Sequence, residues 1–90
     1  MELTKGTRVY FNGDMANASG FGTITEEIPA SKYAPEQVRI KFDDGREMVV
    51  MKMGFSKEYK GHGGTRFVTE EAYKEYRRKA LEAFMASVRK

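Results

Sequence analysis

A small antiparallel β domain joined to one C-terminal helix is the fold class that this chain of 90 residues predicts, and three observations predict it. Short stretches of alternating apolar and polar residues are separated by clusters of glycine, asparagine and proline, the pattern of strands joined by turns. At 38–50, VRIKFDDGREMVV sets Asp44-Gly45 between two such runs, a strong short-range hairpin signal. From Thr69 onward the apolar period changes from that of a strand to that of a helix. Apolar residues are 40% of the chain and aromatics 12%, enough for one compact core and too much for disorder.

Residues Arg8–Phe11 (RVYF) are the first expected strand, after a polar lead-in that ends at Gly6. The next stretch, NGDMANASGFGT, holds Asn12-Gly13, Asn17, Gly20 and Gly22 and is expected to be a loop. Within it Phe21 is expected as a plug at the mouth of the sheet; Gly20-Phe21-Gly22 is no phosphate fingerprint, because Thr25 stands where a third glycine belongs. GTITEEI is the second strand, and PASKYAPE, with a proline at each side, ends it. In the hairpin, a two-residue loop at Asp44-Gly45 sets Asp43 opposite Arg46, Phe42 opposite Glu47, Ile40 opposite Val49 and Val38 opposite Met51.

One face of the hairpin then carries Val38, Ile40, Phe42, Val49, Met51 and Met53, and the other Arg39, Lys41, Met48, Val50 and Lys52. A three-residue loop would slide the second strand by one position and place Arg46 and Lys52 beside Phe42 and Val38, so the two-residue loop is the expected one. Asp43 and Asp44 are the corner of this turn, since no base, nucleophile or ligand set accompanies them. Beyond Gly54 the segment GFSKEYKGHGG has four glycines in eleven residues, and TRFV follows as a short last strand.

Thr69 is the expected N-cap of the helix, with Glu70 and Glu71 at its positive end and Arg89-Lys90 at the other. Tyr73, Tyr76, Ala80, Leu81, Phe84, Met85 and Val88 fall on one side and must cover something apolar. Extending to Lys90, such a helix would span about 30 Å. Either the sheet wraps all of it, or Phe84, Met85 and Val88 overhang as a patch for a second protein or a second copy. Arg77 lies near the middle of this apolar face and Glu47 is the one charge on the apolar face of the hairpin, so the two are expected to pair across the helix–sheet contact, with a snorkelling Arg77 as the alternative.

Gly6, Val9, Gly22 and the hairpin Val38–Gly45 resemble SH3-like small barrels of the KOW and Tudor kind, in which a Gly-x-x-Val opening, a glycine just before the second strand and a Val-x-Phe-Asp-Asp-Gly hairpin recur. The resemblance implies a small antiparallel barrel of about five strands over residues 1–68, and the strand-then-helix pattern adds the amphipathic helix 69–90 as a cap within the same domain. The resemblance stops at the hairpin and leaves the helix outside. Where the KOW pattern ends its first loop with Lys-Gly, this chain has Ser19-Gly20.

Functionally, the sequence excludes more than it assigns. There is no cysteine, so no disulfide framework and no thiolate metal site, and His62 has no second histidine to join it as a ligand. No cofactor motif, signal segment or membrane-spanning stretch stands out, and the expectation is a cytoplasmic, non-enzymatic binding module. The net charge is +3, and Met51–Phe67 alone carries Lys52, Lys57, Lys60 and Arg66 against Glu58. That segment interleaves cations with Phe55, Tyr59 and Phe67, the combination used to bind single-stranded nucleic acid. The expected partner is therefore nucleic acid, held with low specificity by Arg39, Lys41, Lys52, Lys57, Lys60 and Arg66, with Phe55 or Tyr59 as a stacking surface. The alternative is a protein partner, docked on the barrel loops or on Phe84, Met85 and Val88.

Overall fold

The computed structural model describes residues 2–61 and 65–88. His62 and the terminal Arg89-Lys90, with the expectations placed on them, lie outside the described residues. The elements are β1 (Arg8–Phe11), β2 (Gly20–Ile28), β3 (Gln37–Phe42), β4 (Glu47–Met51), a single 3-10 turn (Lys52–Gly54), β5 (Phe67–Thr69) and α1 (Glu70–Val88). The five strands form one antiparallel sheet in the order β4-β3-β2-β1-β5, curled into a half-barrel compatible with a small SH3-like fold. Alternation explains the curl's contents. Val9 and Phe11 of β1, Ile24 of β2, Val38, Ile40 and Phe42 of β3 and Phe67 of β5 point inward, and Leu3 and Phe55 close the core.

The hairpin turns differently from the sequence expectation. Ile40 faces Met48, Arg39 faces Val49 and Val38 faces Val50, one position away from the expected pairing. Its loop is Asp43-Asp44-Gly45: the Phe42 N–H donates to the Arg46 carbonyl at 2.8 Å, the Gly45 N–H donates to the Phe42 carbonyl at 2.9 Å, and Gly45 takes φ +95°. This is the three-residue hairpin whose left-handed glycine forms a bulge. The charges it turns inward are held by neighbours, although Arg46 Nη2 is buried without a hydrogen-bond partner among the described residues. Arg46 lies over the Phe42 ring at 4.9 Å with its Nε on Asp44 at 2.7 Å, and Lys52 reaches Glu27 and Glu36 at 3.3 and 3.1 Å. Met48 and Val50 pack on the core, whereas Val49, Met51 and Met53 are 42%, 46% and 75% exposed.

Asp43 is a structural carboxylate. Arg8 of β1 donates to both of its oxygens at 2.7 Å, to Thr23 Oγ1 at 3.0 Å and, through Nε, to Glu70 of α1 at 2.7 Å. One guanidinium thus ties the hairpin tip, β2 and the start of the helix together. Hydrogen bonds from Arg8 hold the Asp43 carboxyl below its ordinary range, and Lys74 and Arg8 do the same for Glu70. Because both values are depressed, their stabilisation is complete above the ordinary carboxylate range, about 3.9 to 4.3, and is lost as pH falls through the lowered native values. Arg8→Met is therefore expected to flatten the fall of the melting temperature between about pH 5 and about pH 2. Parallel acid profiles of wild type and variant would show that Arg8 does not carry this linkage.

The helix begins where Thr69 Oγ1 accepts the Ala72 N–H at 3.1 Å, the expected cap. It touches the sheet mainly at β1 and β5. Tyr73 stacks on Tyr10 at 3.8 Å, and Val68, on the outer face of β5, is wholly buried. Nineteen helical residues rise about 28 Å, and the molecule measures 57 × 24 × 23 Å, so most of α1 stands clear of the half-barrel. The structure also separates Arg77 from Glu47, correcting their expected pairing: Glu47 lies on β4, at the other end of the sheet from the strands that meet the helix, and faces Lys41.

Candidate functional site

Phe55 is the clearest departure from the expected nucleic-acid surface. It is only 8% exposed, packs on Phe67 at 5.3 Å and bridges to β5, so its ring belongs to the core and is not available for stacking on a base. Tyr59 is an anchor. Its hydroxyl donates to Asn12 Oδ1 at 2.7 Å, while Asn12 Nδ2 donates to the Thr65 carbonyl at 2.9 Å. Its ring meets Tyr73 and Tyr76 edge-on at 4.9 and 4.7 Å. Together with Tyr10 and Phe21, these rings form an aromatic joint between the outer face of β1 and β2, the 56–61 segment and the first two turns of α1. Phe21 is thus packed under Tyr10 and Tyr73 on the outer face and does not plug the mouth. Burial raises the Tyr10 and Tyr59 phenols above their ordinary values.

The cations divide into two groups. Arg39 pairs with Glu26 at 2.9 Å, Lys52 with Glu27 and Glu36, and Arg66 with Asp14 at 3.2 Å. Among the described residues Lys41, Lys57 and Lys60 make no ion pair. Lys41 stands on β3 and Lys57 and Lys60 on the loop, so they form no single track. Lys57 also borders an open cleft of about 550 Å³ between the loop and the helix, where Glu58, Glu71 and Glu75 outnumber Lys57 and Lys79. A phosphate would meet net repulsion there.

The other expected surface is open. Beyond the aromatic joint, Leu81, Phe84 and Val88 are 61%, 63% and 62% exposed and Met85 is 43% exposed. At 100° per residue Leu81, Phe84 and Val88 share one face with Ala80 and Arg77, and Met85 borders it. Arg77, unlike Arg78, which holds Glu75 and Glu82, has no ion-pair partner among the described residues. The chain matches no family model, no curated protein and no solved structure. What the arrangement can do therefore rests on its own geometry.

That geometry is a projecting amphipathic rod whose base is fixed by stacked rings and by Arg8, and whose outer half offers four large apolar side chains around one cation. No helix of the described residues is long and apolar enough to cross a membrane. Leu81, expected on the apolar stripe but not in the overhanging patch, is as exposed as Phe84. Val49, Met51 and Met53 were missed for a different reason, since the expected register had turned them inward.

Proposed function

We propose that this protein is a non-enzymatic interaction module that docks the outer half of α1 into an apolar groove of a protein partner. The single observation that carries this is the exposure of Leu81, Phe84, Met85 and Val88 on a helix that leaves the sheet. An apolar stripe on a helix is the recognition element of helix-in-groove complexes, and burying each such side chain contributes about 1 to 2 kcal/mol here, given that each is already part covered. Arg77, among these side chains, selects a groove with a carboxylate at its rim. Specificity then comes from the spacing of four anchors and the match to one charge.

The test is site-specific photo-crosslinking in cells, with the reactive side chain at position 84 or, as the control, at position 82 on the opposite face. A discrete protein adduct is expected from position 84 alone. Purified with that partner, Leu81→Asp should weaken binding by about a hundredfold, roughly 2.7 kcal/mol, without changing the melting temperature. Adducts that do not depend on the face of the helix would sink the proposal.

Nucleic-acid binding stands second, supported by the unpaired Lys41, Lys57 and Lys60. Fluorescence anisotropy with single-stranded DNA and RNA at several salt concentrations separates the two readings. Three phosphate contacts predict a logarithmic salt slope of roughly −2. A slope near that value, lost in a Lys41, Lys57, Lys60 triple alanine variant, would reverse the order.

A further inference from the structure

The open edge of β4 is a second surface, distinct from the helix stripe. Antiparallel ladders alternate between residues that exchange hydrogen bonds with the neighbouring strand and residues that do not. Phe42 bonds to Arg46 at 2.8 Å at one end of the β3–β4 pair, and Lys52 bonds to Glu36 at 2.9 Å at the other. Between them, Met48 and Val50 therefore turn their N–H and C=O groups toward β3, and Glu47, Val49 and Met51 turn theirs away from it. No strand pairs with that side, and among the described residues the backbone of Glu47 and Val49 and the Met51 N–H make no other hydrogen bond, while the Met51 carbonyl starts the 3-10 turn that follows. The side chains of Val49, Met51 and Met53 beside this edge are the exposed ones. Edge strands are usually blunted by a charge, a proline or a bulge, and EMVVM has only Glu47 at its start.

We propose that β4 pairs antiparallel with β4 of a second copy of this chain, joining two half-barrels into one continuous sheet. Register and charge choose the arrangement. A two-fold axis through Val50 sets Val49 of each copy opposite Met51 of the other, brings Val49 and Met51 of both copies onto one face, and places no like charges opposite each other. An axis through Val49 would set Arg46 opposite Lys52, two cations directly across the ladder, which is destabilising. An axis through Met48 would set the apolar Val49 against the charged Glu47 and leave Met51 without a strand partner. The opposite edge of the sheet offers no equivalent: β5 has three residues, and its Phe67 carbonyl already accepts the Ser56 N–H at 2.9 Å, so a head-to-tail ring is closed off.

The experiment is sedimentation of the full chain from micromolar to near-millimolar concentration, with three variants. Wild type is expected to shift reversibly from monomer to dimer. Val49→Lys with Met51→Lys places like charges opposite each other twice and is expected to raise the dimer dissociation constant about tenfold or more. Val49→Lys with Met51→Glu sets each introduced lysine opposite an introduced glutamate only when the axis runs through Val50, and is expected to restore the dimer. Both positions are solvent-facing, so a melting curve for each variant should overlay that of wild type. A wild type that stays monomeric overturns the proposal and leaves the edge to an extended segment of another protein. A dimer that survives the double lysine variant, or that is abolished by Phe84→Ser on the helix, overturns it as well, and failure of the lysine–glutamate variant to restore association overturns the register.

Discussion

Phe11→Ala is expected to remove about 3 to 5 kcal/mol of stability, against a total of roughly 5 to 13 kcal/mol for a domain of this length. The ring is wholly buried, stacks on Phe67 at 4.7 Å and leans on Phe42 at 5.9 Å. Removing it leaves a cavity bounded by three strands, and the paired backbones of β1, β2 and β5 limit how far the walls can close. Urea unfolding should show a midpoint lower by about 2 M, for a slope of about 2 kcal/mol per molar. Phe84→Ala is the contrast. Its ring is mostly in solvent, so its effect on stability should stay within about 0.5 kcal/mol. If both cost the same, the outer half of α1 is covered and the proposed docking stripe is not free. If Phe11→Ala costs nothing, the inward face of β1 is assigned wrongly.

What could be seen in the sequence was whatever is fixed by neighbours along the chain. Arg8–Phe11 emerged as a strand with those limits, and Thr69 as a helix cap, because alternation and capping are local. The hairpin was recognised, but its register was not. Weighing Arg46 and Lys52 as costly beside Phe42 and Val38 ignored what long side chains can do: one lies across a ring, and the other reaches two carboxylates from neighbouring segments. The basic segment suffered from the same blindness to distance. Phe55 and Tyr59 look alike in a glycine-rich stretch, and only the return of the chain to β5 and the approach of Asn12 decide that one enters the core and the other anchors the loop. For the helix, the period showed a stripe but not which half the sheet would cover. That depended on Tyr10 and Phe21 standing on the outer face of the first two strands, where Tyr73 meets them.

Gly22→Ala is expected to destabilise the protein by about 2 to 3 kcal/mol, while the same change at Gly54 stabilises it by about 0.4 to 1 kcal/mol. Gly22 lies within β2, between Val9 of β1 and Phe42 of β3. A Cβ there would sit 2.8 Å from Ile40 Cγ2, 2.9 Å from the Lys41 carbonyl oxygen and 3.2 Å from the Phe42 Cα. The methyl group of Ile40 could turn aside, but the other two atoms are backbone, and moving them means prying β2 from β3 beside the buried Ile40 and Phe42. The cost is therefore steric, not conformational, since Gly22 is outside the left-handed region. Gly54 is equally free of a positive φ, and a Cβ on it meets nothing within 4 Å. There the added methyl acts on the unfolded chain, by narrowing the states it samples. Opposite shifts of the urea midpoint for the two variants would place the close contact at β2–β3. Equal shifts would mean that the strands do not approach as tightly at Gly22 as the Ile40, Lys41 and Phe42 distances require.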